Sequence, residues 1–184
     1  MQLETSSNTS SGYSTSYVPT EGSSEQRNVD TAKVANFSDM PTDYPFTVFW
    51  QGRIDNINST QFAFSILDIF SNVKYLGLSF STTGYFQIHR RNSSYDVDSQ
   101  TFSMSAGDVL KVAIEFISNT EYRCYINGSL IRNETSGASV DFDFNSILIG
   151  QQRVVSDGGT RNQASQFALF NEKLTDAELI TLTT

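Results

Sequence analysis

Between Val109 and Glu134 the chain lays out three consecutive strands, and no other stretch restricts its fold as much. In Val109-Leu-Lys-Val-Ala-Ile-Glu-Phe-Ile117, residues Leu110, Val112, Ile114 and Phe116 fall on one side of an extended backbone. Lys111 and Glu115 fall on the other, because side chains alternate across a strand. After Ser118-Asn119-Thr120 the chain returns as Glu121-Tyr-Arg-Cys-Tyr-Ile126 and then meets Asn127-Gly128. That dipeptide readily holds positive φ at both centres of a two-residue hairpin turn. A third strand, Ser129 to Asn133, follows at once. The product is an antiparallel meander with one apolar face, which must pack on a second sheet. The chain therefore reads as all-β, a sandwich of two antiparallel sheets.

Flanking segments extend the pattern. Phe46-Thr-Val-Phe-Trp50 carries bulky residues on both faces, as a central strand does, and Pro41 and Pro45 mark the turn before it. Phe62 to Phe70, Lys74 to Ser81 and Tyr85 to Arg90 read as further strands, separated by Ser71-Asn72 and Thr82-Thr83-Gly84. Ser93 to Asp98 reads as an edge or loop. Thr101 to Ser105 alternates again before the turn Ala106-Gly107-Asp108. Near the C-terminus, Leu174 to Ile180 has a helix start, with Thr175 as N-cap and Glu178 three residues on.

The length of 184 residues suits one domain. Its 14 Phe and 8 Tyr can fill a core, and with only 17% charged residues its surface is largely neutral and polar. A net charge of −8 argues against a nucleic-acid partner, since that affinity rests on clustered Lys and Arg. No run approaches the ~18 apolar residues of a membrane span, so membrane insertion is not expected. The single cysteine, Cys124, leaves no internal disulfide and no Cys-based zinc site, and reads as a small buried hydrophobe within a strand. Met1 to Ser6 lacks the basic start and apolar middle of a secretory signal, so synthesis and assembly in the cytoplasm are expected.

An apolar strand, a polar turn and Tyr125-Ile126-Asn127-Gly128 together resemble the hairpin of concanavalin A-like, laminin-G-like jelly rolls. Phe144 to Gly150 is similar to that family's strand ending in Ile-Gly, and Gln166 through Phe170 and Leu174 to Leu179 to its closing strand and short helix. The match covers roughly Phe37 to Thr184. It implies a jelly-roll sandwich over residues 37–184, with residues 1–36 as an extended N-terminal arm.

Within that arm, Ser16-Tyr-Val-Pro-Thr-Glu-Gly-Ser23, followed by Arg27 and Asp30, resembles a stretch found beside lectin-like domains in bacteriophage tail and fibre proteins. Residues 1–36 are too polar to form a core, yet they carry Tyr13, Tyr17 and Val18. These three are the candidate assembly contacts, closing the sandwich or docking on another virion protein. The resemblance implies a non-enzymatic virion component in a tail, fibre or capsid-surface position, made in the host cytoplasm. Expected partners are other virion proteins, further copies on a symmetric particle, and host surface glycans. Two alternatives stay open: a carbohydrate-binding module of a secreted bacterial protein, and a glycan hydrolase or lyase.

Hydrolysis needs two carboxyls facing one bond at about 5 to 10 Å, and the available pairs are Asp141 with Asp143 and Asp96 with Asp98. The E-x-D-x-x-E strand motif of the family's glycanases is missing. No cofactor is expected, although calcium could be held by Asp96, Asp98 and Asp157. His89, the sole histidine, reads as a solvated sheet-face residue beside two arginines that disfavour its protonated form. Trp50 reads as core. Asn-x-Ser/Thr triplets at Asn8, Asn36, Asn58, Asn92, Asn127 and Asn133 reflect composition. For glycan binding, the loops least explained by packing are Arg91 to Gln100 and Gln151 to Asn162. The first offers Tyr95, Asp96 and Asp98; the second offers Arg153, Asp157 and Arg161. Carboxylates and arginines can bridge sugar hydroxyls, and an exposed tyrosine gives a stacking face.

Overall fold

The computed structural model describes residues 32–35, 40–54, 60–68, 74–81, 85–91, 95–137, 139–141, 144–150 and 163–184. These form β1 (Ala32–Ala35), β2 (Phe46–Arg53), β3 (Gln61–Leu67), β4 (Tyr75–Phe80), β5 (Tyr85–Arg91), β6 (Tyr95–Thr101), β7 (Val109–Phe116), β8 (Tyr122–Ile126), β9 (Ser129–Glu134), β10 (Ser146–Ile149), β11 (Gln163–Phe170) and α1 (Asp176–Thr183). A six-stranded sheet runs in the order β1-β10-β3-β4-β5-β6, and a five-stranded sheet in the order β11-β2-β7-β8-β9. Every ladder is antiparallel. The architecture is the sandwich of two antiparallel sheets that the alternation and the Asn-Gly turn imply, and the jelly roll that the family resemblance implies.

The meander forms as its sequence requires. Asn127 and Gly128 take φ of 47° and 79°, turning β8 into β9. Leu110, Val112, Ile114 and Phe116 of β7 point into the core with Tyr122, Cys124 and Ile126 of β8. They meet Phe64, Ile66, Leu76, Leu78, Phe86 and Ile88 of the six-stranded sheet. Burying each such side chain contributes about 1.5–3 kcal/mol, so this interface dominates the stability of the fold. Cys124 is enclosed, and burial pushes its thiol up, as befits a packing residue.

Strand β2 is central for a reason visible in its composition. Phe46, Val48 and Trp50 face the sandwich core, whereas Phe49 points outward and is only 4% exposed. Helix α1 covers that outward face: Leu179 packs with Phe49, Ala113 and Tyr125, rimmed by Ala168, Phe170, Leu174 and Leu182. The helix starts where the capping box places it. The Thr175 hydroxyl accepts from the Glu178 backbone N–H, and the Glu178 carboxylate accepts from the Thr175 N–H at 2.8 Å. Arg123 anchors the same end, donating to buried Glu115 at 2.7 Å and to Asp176 in the first helical turn.

The structure resolves three local expectations more finely. Thr101 to Ser105 is not a strand of its own, since only Thr101 joins a ladder. Ser93 to Asp98 is open between an edge and a loop in the sequence, and residues 95–101 take the edge alternative as strand β6, paired to β5 over its whole length. Ala32–Ala35, inside the expected arm, is edge strand β1, paired with Ser146–Ile149 of β10. Tyr13, Tyr17 and Val18 lie outside the described residues.

Candidate functional site

The sandwich has two outer faces, and α1 occupies that of the five-stranded sheet. The opposite outer face can be traced from β5. Phe86 and Ile88 enter the core, so Tyr85, Gln87, His89 and Arg91 fall on the outer side. The ladders then align outward rows across β4, β5 and β6: Tyr75 with Arg91; Gly77, His89 and Val97; Ser79, Gln87 and Ser99; and at the end Tyr85 with Thr101.

This face divides into a buried part and an open part. Phe62, Leu67, Tyr75 and Leu148 form an apolar cluster, and Ser65, Ser79, His89 and Ser146 are also buried. Toward the β5–β6 edge the surface opens. Tyr85 is 37% exposed, Ser99 and Thr101 are exposed, and Gln87 and Arg91 are partly so. An aromatic ring beside an amide and two hydroxyls, with no carboxylate in the outward row, offers apolar surface for a sugar ring and partners for its hydroxyls.

A chain of polar contacts joins the two parts. His89 Nε2 lies 2.7 Å from Ser79 Oγ. Ser79 Oγ donates to Gln87 Oε1 at 3.3 Å, and Gln87 Nε2 donates to Ser99 Oγ at 3.0 Å. The imidazole sits 4.7 Å from the Phe62 ring and 6.1 Å from that of Tyr75, and its ladder neighbour Gly77 adds no side chain. A Cβ at Gly77 would come to 3.0 Å from the Phe64 carbonyl oxygen, so the bare position also lets β4 lie close against β3. Alternation places His89 outward as expected, but it is 2% exposed rather than solvated. Burial, not the neighbouring arginines, lowers its pKa to about 4.

The residues expected to bind glycan or calcium are distributed differently. Asp98 lies on the inner side of β6, where its carboxylate accepts from Arg132 Nε of β9 at 2.6 Å, from Gln100 Nε2 at 2.6 Å and from the Tyr122 hydroxyl. Burial raises its pKa, but those hydrogen bonds and the Arg132 charge outweigh burial and hold it below the ordinary carboxylate range. Asp96 pairs with Arg90 and Tyr95 with Arg91 in the β5–β6 ladder. Arg153, Asp157 and Arg161 lie outside the described residues, as does Asp143. Among the described residues no group of three His, Cys, Asp or Glu side chains is placed to hold a metal ion. Asp141 is exposed on a separate groove of about 440 Å³, shared with Asp43, Tyr44, Ser118 and Asn119, in which the Tyr44 hydroxyl donates to the Val140 carbonyl.

The sequence matches no family model and no curated protein. Solved structures do resemble it. The CBM40 module of the Ruminococcus gnavus IT-sialidase, bound to α2,3-sialyllactose, superposes with a TM-score of 0.66 at 15% identity, over 82% of this chain and 91% of the module. The leech intramolecular trans-sialidase aligns at 0.64 and 17% identity, over 83% of this chain and 27% of the enzyme. A heptameric SAP-like pentraxin from Limulus polyphemus aligns at 0.58 and 16% identity, over 84% and 82%. At these identities the likeness is one of fold: a lectin-like jelly roll.

Proposed function

We propose that this chain is a non-catalytic carbohydrate-binding module that takes glycan on the open β5–β6 part of the six-stranded sheet. The observation that carries the reading is the half-exposed Tyr85 ring set beside Gln87, Ser99 and Thr101 on the face that α1 leaves free. Tyr85 supplies the stacking surface; the amide and hydroxyls bond the ring substituents. The R. gnavus module, which spans nearly the same length of fold and is bound to sialyllactose, supports the same ligand class. A hydrolytic role is less well supported, because Asp98 is neutralised by Arg132 and cannot hold a proton for a leaving group near neutral pH.

Binding of α2,3- and α2,6-sialyllactose and of neutral oligosaccharides tests the proposal. Tyr85→Ala is expected to weaken binding about tenfold, equivalent to about 1.4 kcal/mol, with the melting temperature unchanged. No binding by the intact protein, or equal binding by the variant, would sink it.

The resemblance of Ser16 to Asp30 to phage tail and fibre proteins favours a second reading of the setting, in which this module is displayed on a virion. Tail or capsid proteins co-purifying with the chain from its natural source would support that setting; an exported enzyme as its sole partner would exclude it.

A further inference from the structure

With the Gln87 amide oriented as the structure has it, proton counting gives the direction of the contacts behind the open floor. An amide oxygen only accepts, so the single Ser79 hydroxyl proton goes to Gln87 Oε1. The 2.7 Å contact between Ser79 Oγ and His89 must then be filled by a proton on His89 Nε2. Gln87 Nε2 in turn donates to Ser99, so the Ser99 proton points away from Gln87. All protons in the row run from the buried imidazole toward the open edge. What the floor presents beside Tyr85 is the Ser99 hydroxyl proton and the amide N–H side of Gln87. Turning the amide over would require Ser79 to accept from Gln87 and donate to His89, with the imidazole proton moved to Nδ1. The orientation of Gln87 is therefore coupled to the tautomer of His89.

We propose that His89 and Ser79 are positioning residues that set the floor as donor-presenting, so that the site favours glycans bearing a carboxylate or N-acetyl carbonyl over glycans with hydroxyls alone. The inference rests on the reading of this sheet face as the glycan site and names its ligand class. Hydroxyls can accept or donate and are indifferent to the polarity of the floor, whereas carboxylate and acetamide oxygens only accept. The low pKa of His89 keeps the imidazole neutral near pH 7, with one proton to assign. Ser79 and His89 are buried while Gln87 and Ser99 face outward, which is the layout of a supporting layer beneath a contact layer.

The experiment compares 3′-sialyllactose, chitobiose and lactose on the intact protein and three variants, and records the ¹⁵N spectrum of the histidine, the only one in the chain. The expected spectrum shows the Nε2–H tautomer. Wild-type protein is expected to prefer sialyllactose and chitobiose to lactose by fivefold or more. Ser79→Ala and His89→Leu are expected to lose that preference while lactose affinity stays within twofold. His89→Gln, whose amide N–H reaches the same place, is expected to keep it. An Nδ1–H tautomer in the wild-type protein, or unchanged preference in Ser79→Ala, overturns the inference while the glycan site stands. If the wild-type protein binds none of the three probes, the glycan reading falls and the selectivity with it.

Discussion

Arg132 of β9 reaches across the mouth of the sandwich and donates to Asp98 of β6 at 2.6 Å, joining the edge strands of the two sheets. The same carboxylate accepts from the buried Tyr122, and Arg132 also donates to Glu134. Behind it, the Arg90 guanidinium lies 4.9 Å above the Tyr122 ring and donates to the Thr120 carbonyl at 3.0 Å. One edge of the sandwich is thus closed by charge rather than by apolar packing.

Replacing Asp98 by Asn should therefore cost about 1.5–3 kcal/mol near pH 7, the usual value of a hydrogen bond to a charged group. The sign with pH follows from the lowered pKa. A carboxylate depressed in the folded state stabilises fully above its unfolded pKa of about 4. That contribution is lost as pH falls through the lower folded value. Urea unfolding of wild type and Asp98→Asn should show a gap at pH 7 that narrows by pH 3; a gap independent of pH would contradict this account.

Residue 128 is a second point of leverage. Gly128 sits at φ 79°, and its N–H donates to the Thr183 hydroxyl at 3.1 Å, tying the β8–β9 hairpin to the end of α1. A Cβ there would meet Thr184 Oγ1 at 3.0 Å in addition to adopting a left-handed backbone. Gly128→Ala should cost about 1–2 kcal/mol, read as a lower urea midpoint with an unchanged m-value. A variant as stable as wild type would mean that the hairpin tolerates another turn.

The edge strand β1 supplies a third test. Its four residues pair with Ser146–Ile149, whose Ile147 and Leu148 are buried. A chain starting at residue 37 loses this ladder, whereas one starting at residue 32 keeps it. The shorter chain should melt at least ~3 °C lower, in line with a loss of about 1 kcal/mol in a domain of this size. Equal melting temperatures would show that β1 adds nothing to the sandwich.

Much of this fold is written locally. Leu110 to Phe116 alternate, Asn127-Gly128 can hardly do anything but turn, and Thr175 with Glu178 starts the helix; none of these needs a distant partner. Strand β6 is different. Tyr-Asp-Val-Asp-Ser-Gln-Thr stays open between an edge and a loop on its own residues, and what makes Asp98 acceptable in an edge strand is Arg132, which lies on the other sheet. The candidate site was hidden for a related reason. Tyr85 and Gln87 share a face by simple alternation, but Ser99 and Thr101 join them only through the β5–β6 register. Alternation also placed His89 outward without revealing which part of the outer face would be buried. The other expected ligands, Arg153, Asp157 and Arg161, lie outside the described residues.

His89 gives the last prediction, in a pH window separate from that of Asp98. Its folded pKa of about 4 lies below the unfolded value near 6.5, so the unfolded chain binds a proton that the folded chain refuses. The stability that goes with the neutral imidazole is complete above about pH 6.5 and declines as pH falls toward 4. The slope cannot exceed about 1.4 kcal/mol per pH unit, the value for one proton. Since this is the only histidine, the region between pH 6.5 and about 5.5 should report on it most directly, with carboxylates held below their ordinary values, Glu134, Glu178 and Asp98 among them, joining as pH falls further. His89→Gln retains a side-chain N–H for Ser79 and cannot titrate, so its stability should be nearly flat over that interval while wild type weakens. Chemical denaturation of both proteins at half-unit steps from pH 7 to 4 measures the difference directly. Parallel curves would mean that the imidazole is open to water when the protein is folded, and that the supporting layer beneath Gln87 and Ser99 is not closed as the structure has it.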